Sequence, residues 1–237
     1  MFNLLLFGAL PYVAITLFLL VTVTRYRLAP YTFSTLSSQF MESKQLFWGS
    51  VPFHVGLTIL FFGHLLAFAL PHQLMIWNSI PLRLFILESS AFAAAVLTLF
   101  GLVALVFRRG GNARLRVATS KMDVFVYLVL LYMLVTGIWV ATTVRWGSGW
   151  ATHTLAPYLW SVFKFSPELD RVVQLPLIVK FHVVGAWVLV ALFGFTRLVH
   201  ALVAPVPFLW RPVQQVIWNW KRDRDQVYGD RSKRSGA

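Results

Sequence analysis

Apolar positions in this chain come in long unbroken runs instead of alternating with polar ones. Five stretches, near residues 4–24, 47–70, 83–107, 123–144 and 176–203, carry almost no charge. A hydrocarbon core roughly 30 Å thick takes about 20 helical residues to cross, and each run is long enough to do so. Strands, or helices with one wet face, would break such runs with polar side chains every few residues. The pattern therefore predicts an all-α integral membrane bundle of five transmembrane helices over residues 1–204, followed by a basic tail, 205–237. The first run has no basic segment before it and no small-residue cleavage site after it, so it reads as a retained helix and not a removed signal peptide.

Composition agrees and narrows the chemistry. Hydrophobic residues make up 58% of the 237, charged residues only 12%, and the mean hydropathy is +0.71, more apolar surface than a water-soluble domain can hide. There is no cysteine, which excludes disulfides, thiolate metal sites and covalent haem attachment through a CxxCH motif. Any iron–sulfur cluster working with this chain must belong to a partner.

A net charge of +13 would suit nucleic acid, but its placement argues for topology instead. Fifteen basic residues lie on one side: Arg25, Arg27 and Lys44, then Arg108, Arg109, Arg114, Arg116 and Lys121, then seven in the tail from Arg211 to Arg234. The other side has five, Arg83, Arg145, Lys164, Arg171 and Lys180, and Arg197 falls within a span. The excess of positive charge marks the cytoplasmic side, putting the N-terminus outside and the C-terminus in the cytoplasm. The long outer connection, 145–175, contains Trp146, Trp150, Tyr158, Trp160 and Phe163, which suits a segment lying at headgroup level. The tail mixes Trp210, Trp218 and Trp220 with basic residues, as a docking segment would, and its last ten residues read as disordered.

Four of the six histidines lie inside the apolar runs: His54 and His64 in the second, His182 and His200 in the fifth. An ionisable side chain in a span is costly without a partner. The two runs cross in opposite directions, so depth pairs His64 with His182 toward the outside and His54 with His200 toward the cytoplasm. Neutral imidazole is a good iron ligand, and facing helices are where bundles build such sites. Two haems, each held by one pair, is the reading that uses all four. A lone intramembrane histidine is more often a hydrogen-bonded core residue; two on each of two antiparallel helices reverse that preference.

Rise along the helix is the weak point. His54 and His64 are ten residues apart, His182 and His200 eighteen, or about 15 and 27 Å along a straight helix. Both pairs cannot then be level without tilted helices or tilted haems. Gly56, Gly63 and Gly185 near these histidines could admit a flat macrocycle, or could simply let helices pack closely. His72 and His153 fall outside the spans and read as solvated or interfacial.

Three further side chains carry candidate chemistry. Arg197 precedes His200 by one turn and needs an anion, for which a haem propionate would serve, with snorkelling to the interface as the plainer reading. Glu88 stands out as a carboxylate within a span; it could accept a quinol proton or pair with Arg83 or Lys180. Arg83, near the start of the third span, is the nearer of those two possible partners in sequence.

At this point a family resemblance enters. FHVGLTILFFGHLLAFALPH (53–72) and KFHVVGAWVLVALFGFTRLVH (180–200) resemble the haem-ligand helices of the gamma subunit of respiratory nitrate reductase. RYRLAPYTFSTLSSQ (25–39) and RLRVATSKMD (114–123) resemble its cytoplasmic loops. The resemblance covers five spans and most of residues 1–210. It implies a multi-pass cytochrome b subunit in the cytoplasmic (inner) membrane of a prokaryote, with two b-type haems. Such a subunit oxidises quinol near the outer face and passes electrons to an iron–sulfur beta subunit and a molybdenum alpha subunit. By position, His64 and His182 would hold the distal haem, and His54 and His200 the proximal one. Where the family has a lysine near the start of the third span, this sequence reads PLRLFILESS (81–90), so Arg83 is the residue that could stand in.

Other readings remain open on sequence alone. Related dihaem subunits serve sulfite-reduction and heterodisulfide-type complexes. A haem-free transporter or proton relay through the histidines and Glu88 would call for broken helices near mid-membrane, and none is evident in the sequence. A purely structural anchor would explain the basic tail but not the four histidines.

Overall fold

A computed structural model describes residues 2–33 and 44–203; the basic tail, 205–237, lies outside the described residues. Within them the chain is a bundle of helices. One π-helical turn, Leu4–Ala9, runs into α1, Leu10–Leu28. The long helices α2 (Lys44–Ala69), α4 (Pro81–Gly111) and α6 (Lys121–Thr143) follow, with the short α3 (Pro71–Asn78) and α5 (Ala113–Val117) between them. Then come α7 (Gly147–Phe163), α8 (Asp170–Val173) and α9 (Leu177–Phe193), and last a 3-10 segment, Arg197–Val203. Four helices are long and apolar enough to cross a membrane: Leu4–Leu28, Leu46–Ala69, Pro81–Gly111 and Lys121–Thr143. The protein is a multi-pass membrane protein.

The fifth predicted span departs from expectation. It is not one helix: α9 stops at Phe193, and the following 3-10 segment leaves at 81°. Thr196 is the local cause. Its hydroxyl bonds the Phe193 carbonyl at 3.1 Å and accepts from the Leu198 amide at 3.3 Å, closing one helix and starting the next turn. A hydroxyl that competes for backbone groups in this way disfavours a continuous helix. A broken span is therefore present, although no proline marks it.

Helix starts follow sequence chemistry. Pro71 and Pro81 sit in the first turn of α3 and α4, where a missing N–H costs nothing, and Pro176 immediately precedes α9. Ser120 opens α6 with a reciprocal cap: its hydroxyl takes the Asp123 amide and the Asp123 carboxylate takes the Ser120 amide.

Small residues bring α2 and α4 together. A Cβ on Gly101 would lie 2.4 Å from the Phe53 backbone nitrogen, and one on Gly56 would lie 2.3 Å from Thr98 Oγ1. Gly56 is thus a packing residue, as is Gly185, where a Cβ would meet the Tyr132 ring at 2.5 Å. Around this contact Phe53, Leu102, Leu130 and Leu134 form one core cluster. A second gathers Phe7, Tyr158, Val162 and Val172 at the end of the bundle where α2 finishes and α4 begins, here called the upper end.

The connection 145–175 supplies that second cluster, so it does more than lie at a surface. Tyr158 is fully buried, donates to the Phe7 carbonyl at 2.7 Å, and has its hydroxyl pKa raised by burial. Trp160 reaches the Phe68 carbonyl at 2.9 Å. Trp146, Trp160 and Phe163 remain exposed, so only part of the aromatic content is available to an interface. α7 is a folded cap on the upper end.

Candidate functional site

The four histidines of the apolar runs come together as two facing pairs. His64 of α2 and His182 of α9 have ring centroids 6.5 Å apart with planes 40° from parallel. His54 of α2 and His200 of the 3-10 segment are 6.3 Å apart at 67°. Two imidazoles bonded to one metal from opposite sides have centroids roughly 6 Å apart, from two bonds of about 2.0 Å and the two ring radii. Both gaps therefore have the width of a bis-imidazole metal site. The main packing partner of α2 is α4, and those of α9 are α1 and α6, so the rings face across a space and not through a packed helix contact.

The orientation of each ring is set by its Nδ1. His54 Nδ1 lies 2.7 Å from the Ser50 carbonyl, His64 Nδ1 2.8 Å from the Leu60 carbonyl, and His200 Nδ1 2.5 Å from the Arg197 carbonyl. A carbonyl can only accept, so in each case Nδ1 carries the proton and donates. His182 Nδ1 lies 3.0 Å from Thr136 Oγ1, whose own proton goes to the Tyr132 carbonyl at 2.8 Å, so here too the imidazole donates. In the neutral ring, a proton on Nδ1 leaves Nε2 as the nitrogen able to ligate. This is the arrangement by which an outer oxygen acceptor fixes the tautomer and aim of a ligating histidine.

Local packing explains why these rings can stand where they do. Gly137 of α6 gives His182 its place: a Cβ there would lie 3.0 Å from His182 Cε1. Gly63, one residue before His64, has nothing within 4 Å of where its Cβ would be, leaving open space beside the upper pair. α2 is poorly covered by the rest of the chain, with only 11% of its most apolar window buried, and His54 and His64 are exposed along it. Each pair offers two nitrogens and an open flank, which fits a planar tetradentate group such as haem. Among the described residues no cluster of three or more His, Asp or Glu side chains converges on a single point.

The break in the fifth span also removes the mismatch in rise. From His182 to Phe193 the straight part of α9 rises about 17 Å, and the segment beyond, bent by 81°, adds little along the same axis. The ten residues from His54 to His64 rise about 15 Å. The two pairs are level because the helix turns.

The side chains of the remaining candidates are engaged elsewhere. Arg197 meets a protein carboxylate: its Nε is 2.9 Å from Asp123 Oδ1, and Arg109 Nη1 is 3.4 Å from Asp123 Oδ2. Glu88 accepts from the Ser148 amide at 2.7 Å and the Ser148 hydroxyl at 2.6 Å, so α7 holds it. Arg83 stacks over the Trp77 ring, 5.0 Å from its centroid, and Lys180 Nζ donates to the Val173 carbonyl at 2.6 Å. Arg83 and Glu88 are thus engaged separately. His72 and His153 are exposed.

Sequence reasoning passed over Asp123 and Arg25. Asp123 looks like the first polar residue of a span and nothing more, although Ser120-x-x-Asp123 is legible as a capping box. Arg25 counts only as one charge in an inside loop; its hydrogen bonds to the distant Gly194 and Thr196 carbonyls have no local signal.

A helical membrane bundle with two pairs of neighbouring histidine rings at two levels is the class that fold and site define. Residues 3–219 match the family described as nitrate reductase gamma subunit. The nitrate reductase gamma chain of Bacillus subtilis is 30% identical over 210 residues, covering 87% of this chain and 94% of that protein. The respiratory nitrate reductase 1 gamma chain of Escherichia coli is 30% identical over 220 residues, 90% of this chain and 96% of the relative. The nitrate reductase-like protein NarX of Mycobacterium tuberculosis is 30% identical over 234 residues, 95% of this chain but 35% of that longer protein. The chain belongs to the nitrate reductase gamma subunit family and is a membrane subunit of a nitrate reductase.

Proposed function

We propose that this chain is a quinol-oxidising cytochrome b subunit. It takes electrons at the upper end and delivers them at the lower end to an iron–sulfur beta subunit and, through it, a molybdenum alpha subunit that reduces nitrate. The observation that carries the reading is the pair of histidine gaps, each of bis-imidazole width. His64 and His182 would hold one b-type haem, and His54 and His200 the other. Bound at these two levels, haem supplies reversible one-electron transfer, which quinol oxidation to an acceptor across the membrane requires.

The protein's own part is positioning. Carbonyls of Ser50, Leu60 and Arg197 and the hydroxyl of Thr136 hold each imidazole in one tautomer, so no ring must reorient to bind. α7 covers the upper end and keeps Glu88 there, accepting two hydrogen bonds. A carboxylate so placed is a candidate to take a quinol proton, with Arg83 a candidate to bind the ring oxygen; Trp77 holds its guanidinium at that end. The lower end carries Arg25, Arg27, Arg108, Arg109, Arg114, Arg116 and Lys121 and faces the cytoplasm of a prokaryotic inner membrane. Releasing quinol protons outside while electrons move inward stores about 2.3 kcal/mol per electron for each 100 mV of potential.

One observation favours a second reading, a haem-free ion relay: the fifth span is broken, as transporter helices often are. The chemistry at the break speaks against it. Gly194 and Thr196 carbonyls freed by the bend accept from Arg25 Nη1 at 2.9 and 2.8 Å, so a cation already occupies the acceptors an ion would need.

The test is a reduced-minus-oxidised spectrum of the chain in its native complex, with haem quantified per chain as the pyridine haemochrome. Two b haems per chain, both reduced by a quinol analogue, are expected. A folded complex without haem would overturn the reading and favour the relay.

A further inference from the structure

The lower ligand pair raises a question the upper one does not. His64 and His182 sit on regular helices, whereas His200 sits beyond an 81° break, on a short 3-10 segment whose direction the α9 backbone does not set. Something else must aim it. We propose that Arg25 and Asp123 are positioning residues for His200, clamping the break from two sides so that its imidazole meets that of His54. The inference rests on the proposed haem-binding reading and extends it to two residues outside the ligand set.

Arg25 acts on the α9 side of the break. A helix end inside a membrane leaves carbonyls without amide partners, and in a water-poor setting they need another donor. Arg25, at the last turn of α1, gives both Nη1 protons to Gly194 O and Thr196 O. Its Nε bonds Thr32 Oγ1 at 2.8 Å and its Nη2 bonds Thr32 O at 2.9 Å, tying the same guanidinium to the turn that follows α1. A cation at a helix C-terminus also meets the negative end of the dipole. An arginine that merely snorkelled would extend away to water; this one reaches across to another helix. The approach is close, since a Cβ on Gly194 would lie 3.0 Å from the Val21 side chain.

Asp123 acts on the far side. It is 7% exposed, fixed at the start of α6 by its reciprocal cap with Ser120, and ion-paired to Arg197. Arg197 is the first residue of the 3-10 segment, and its carbonyl is the acceptor for His200 Nδ1. Asp123 therefore sets where Arg197 stands, and Arg197 sets the ring. A carboxylate fixed in the protein, not a free anion, is what this intramembrane arginine has found.

The test uses the full-length chain in its assembled complex, with Arg25→Gln, Asp123→Asn and the conservative Arg25→Lys and Asp123→Glu. Haem content and the low-spin electron paramagnetic resonance spectrum are read for each, and a His54→Ala variant identifies which signal belongs to the lower pair. Replacing an outer partner of a ligating histidine lowers affinity about tenfold or more. Arg25→Gln and Asp123→Asn should therefore deplete or shift the lower-pair signal and leave the upper-pair signal unchanged, with partial recovery in the conservative variants. Unchanged signals from both pairs would overturn the proposal, as would equal loss of both in all four variants. A wild-type complex without haem would instead sink the underlying reading, an outcome visible before any variant is made.

Discussion

The upper and lower histidine pairs look alike in separation but are built in different ways. At the upper pair both histidines lie on uninterrupted helices, and one acceptor per ring suffices: the Leu60 carbonyl, one turn back, for His64 and the Thr136 hydroxyl of α6 for His182. Regular helix geometry and a glycine opposite, Gly137, do the placing. At the lower pair only His54 has that support. His200 depends on a bend, on a guanidinium from α1 and on a carboxylate from α6. The contrast teaches that a side chain on a regular helix needs at most one neighbouring helix to aim it, whereas one beyond a break needs several, which makes the second site sensitive to residues far from it.

Substitutions can sharpen this contrast. The largest effect should come from His182→Ala, which removes a ligand outright: one haem per chain is expected to remain by haemochrome assay, and quinol-driven reduction to be lost. Retention of both haems would show that the ring is not a ligand. Next, Gly137→Leu drives a branched side chain into a space where even a Cβ lies 3.0 Å from His182 Cε1. Overpacking of this kind costs about 1–3 kcal/mol, and the upper-pair absorbance should fall while the lower-pair absorbance persists. A wild-type spectrum in this variant would mean that α6 does not shape the site. The smallest effect should come from Thr136→Val, which leaves His182 Nδ1–H without its acceptor. A drop of about tenfold in haem affinity confined to the upper pair is expected in reconstitution titrations. Equal weakening of both pairs would argue that the two sites are mechanically coupled and the contrast drawn here is false.

Function attaches to these regions unequally. Glu88 and Arg83 both belong to the upper end, and each is already engaged, Glu88 by Ser148 and Arg83 by Trp77. A substrate binding there would have to compete with or adjust those contacts, a different demand from the open flank beside Gly63. Membership of the gamma subunit family fixes the setting, a membrane subunit of nitrate reductase, while the two gaps between histidines carry the proposal about what moves through it.

Much of this molecule was legible in the chain by itself. Apolar runs of the right length determine membrane helices because a helix satisfies all of its own backbone in so apolar a solvent, and a barrel strand would alternate apolar with polar residues. Chain direction then places His64 near His182 and His54 near His200 without any contact information, and the intramembrane histidines announce themselves by cost. What the sequence did not disclose was the course of the fifth span. Gly194-Phe195-Thr196 contains no proline, and a threonine in a helical pattern is tolerated far more often than not, so 176–203 reads as one helix. Whether that threonine ends the helix depends on who receives the carbonyls it frees, and the receiver is Arg25, 169 and 171 residues away from them in sequence. Likewise Asp123 and Arg197 become partners only when α6 and the end of the fifth span are brought side by side. Local propensity and hydropathy are properties of neighbouring residues and can be read along a line; the bend that levels the two histidine pairs is a settlement among three helices, and only their packing decides it.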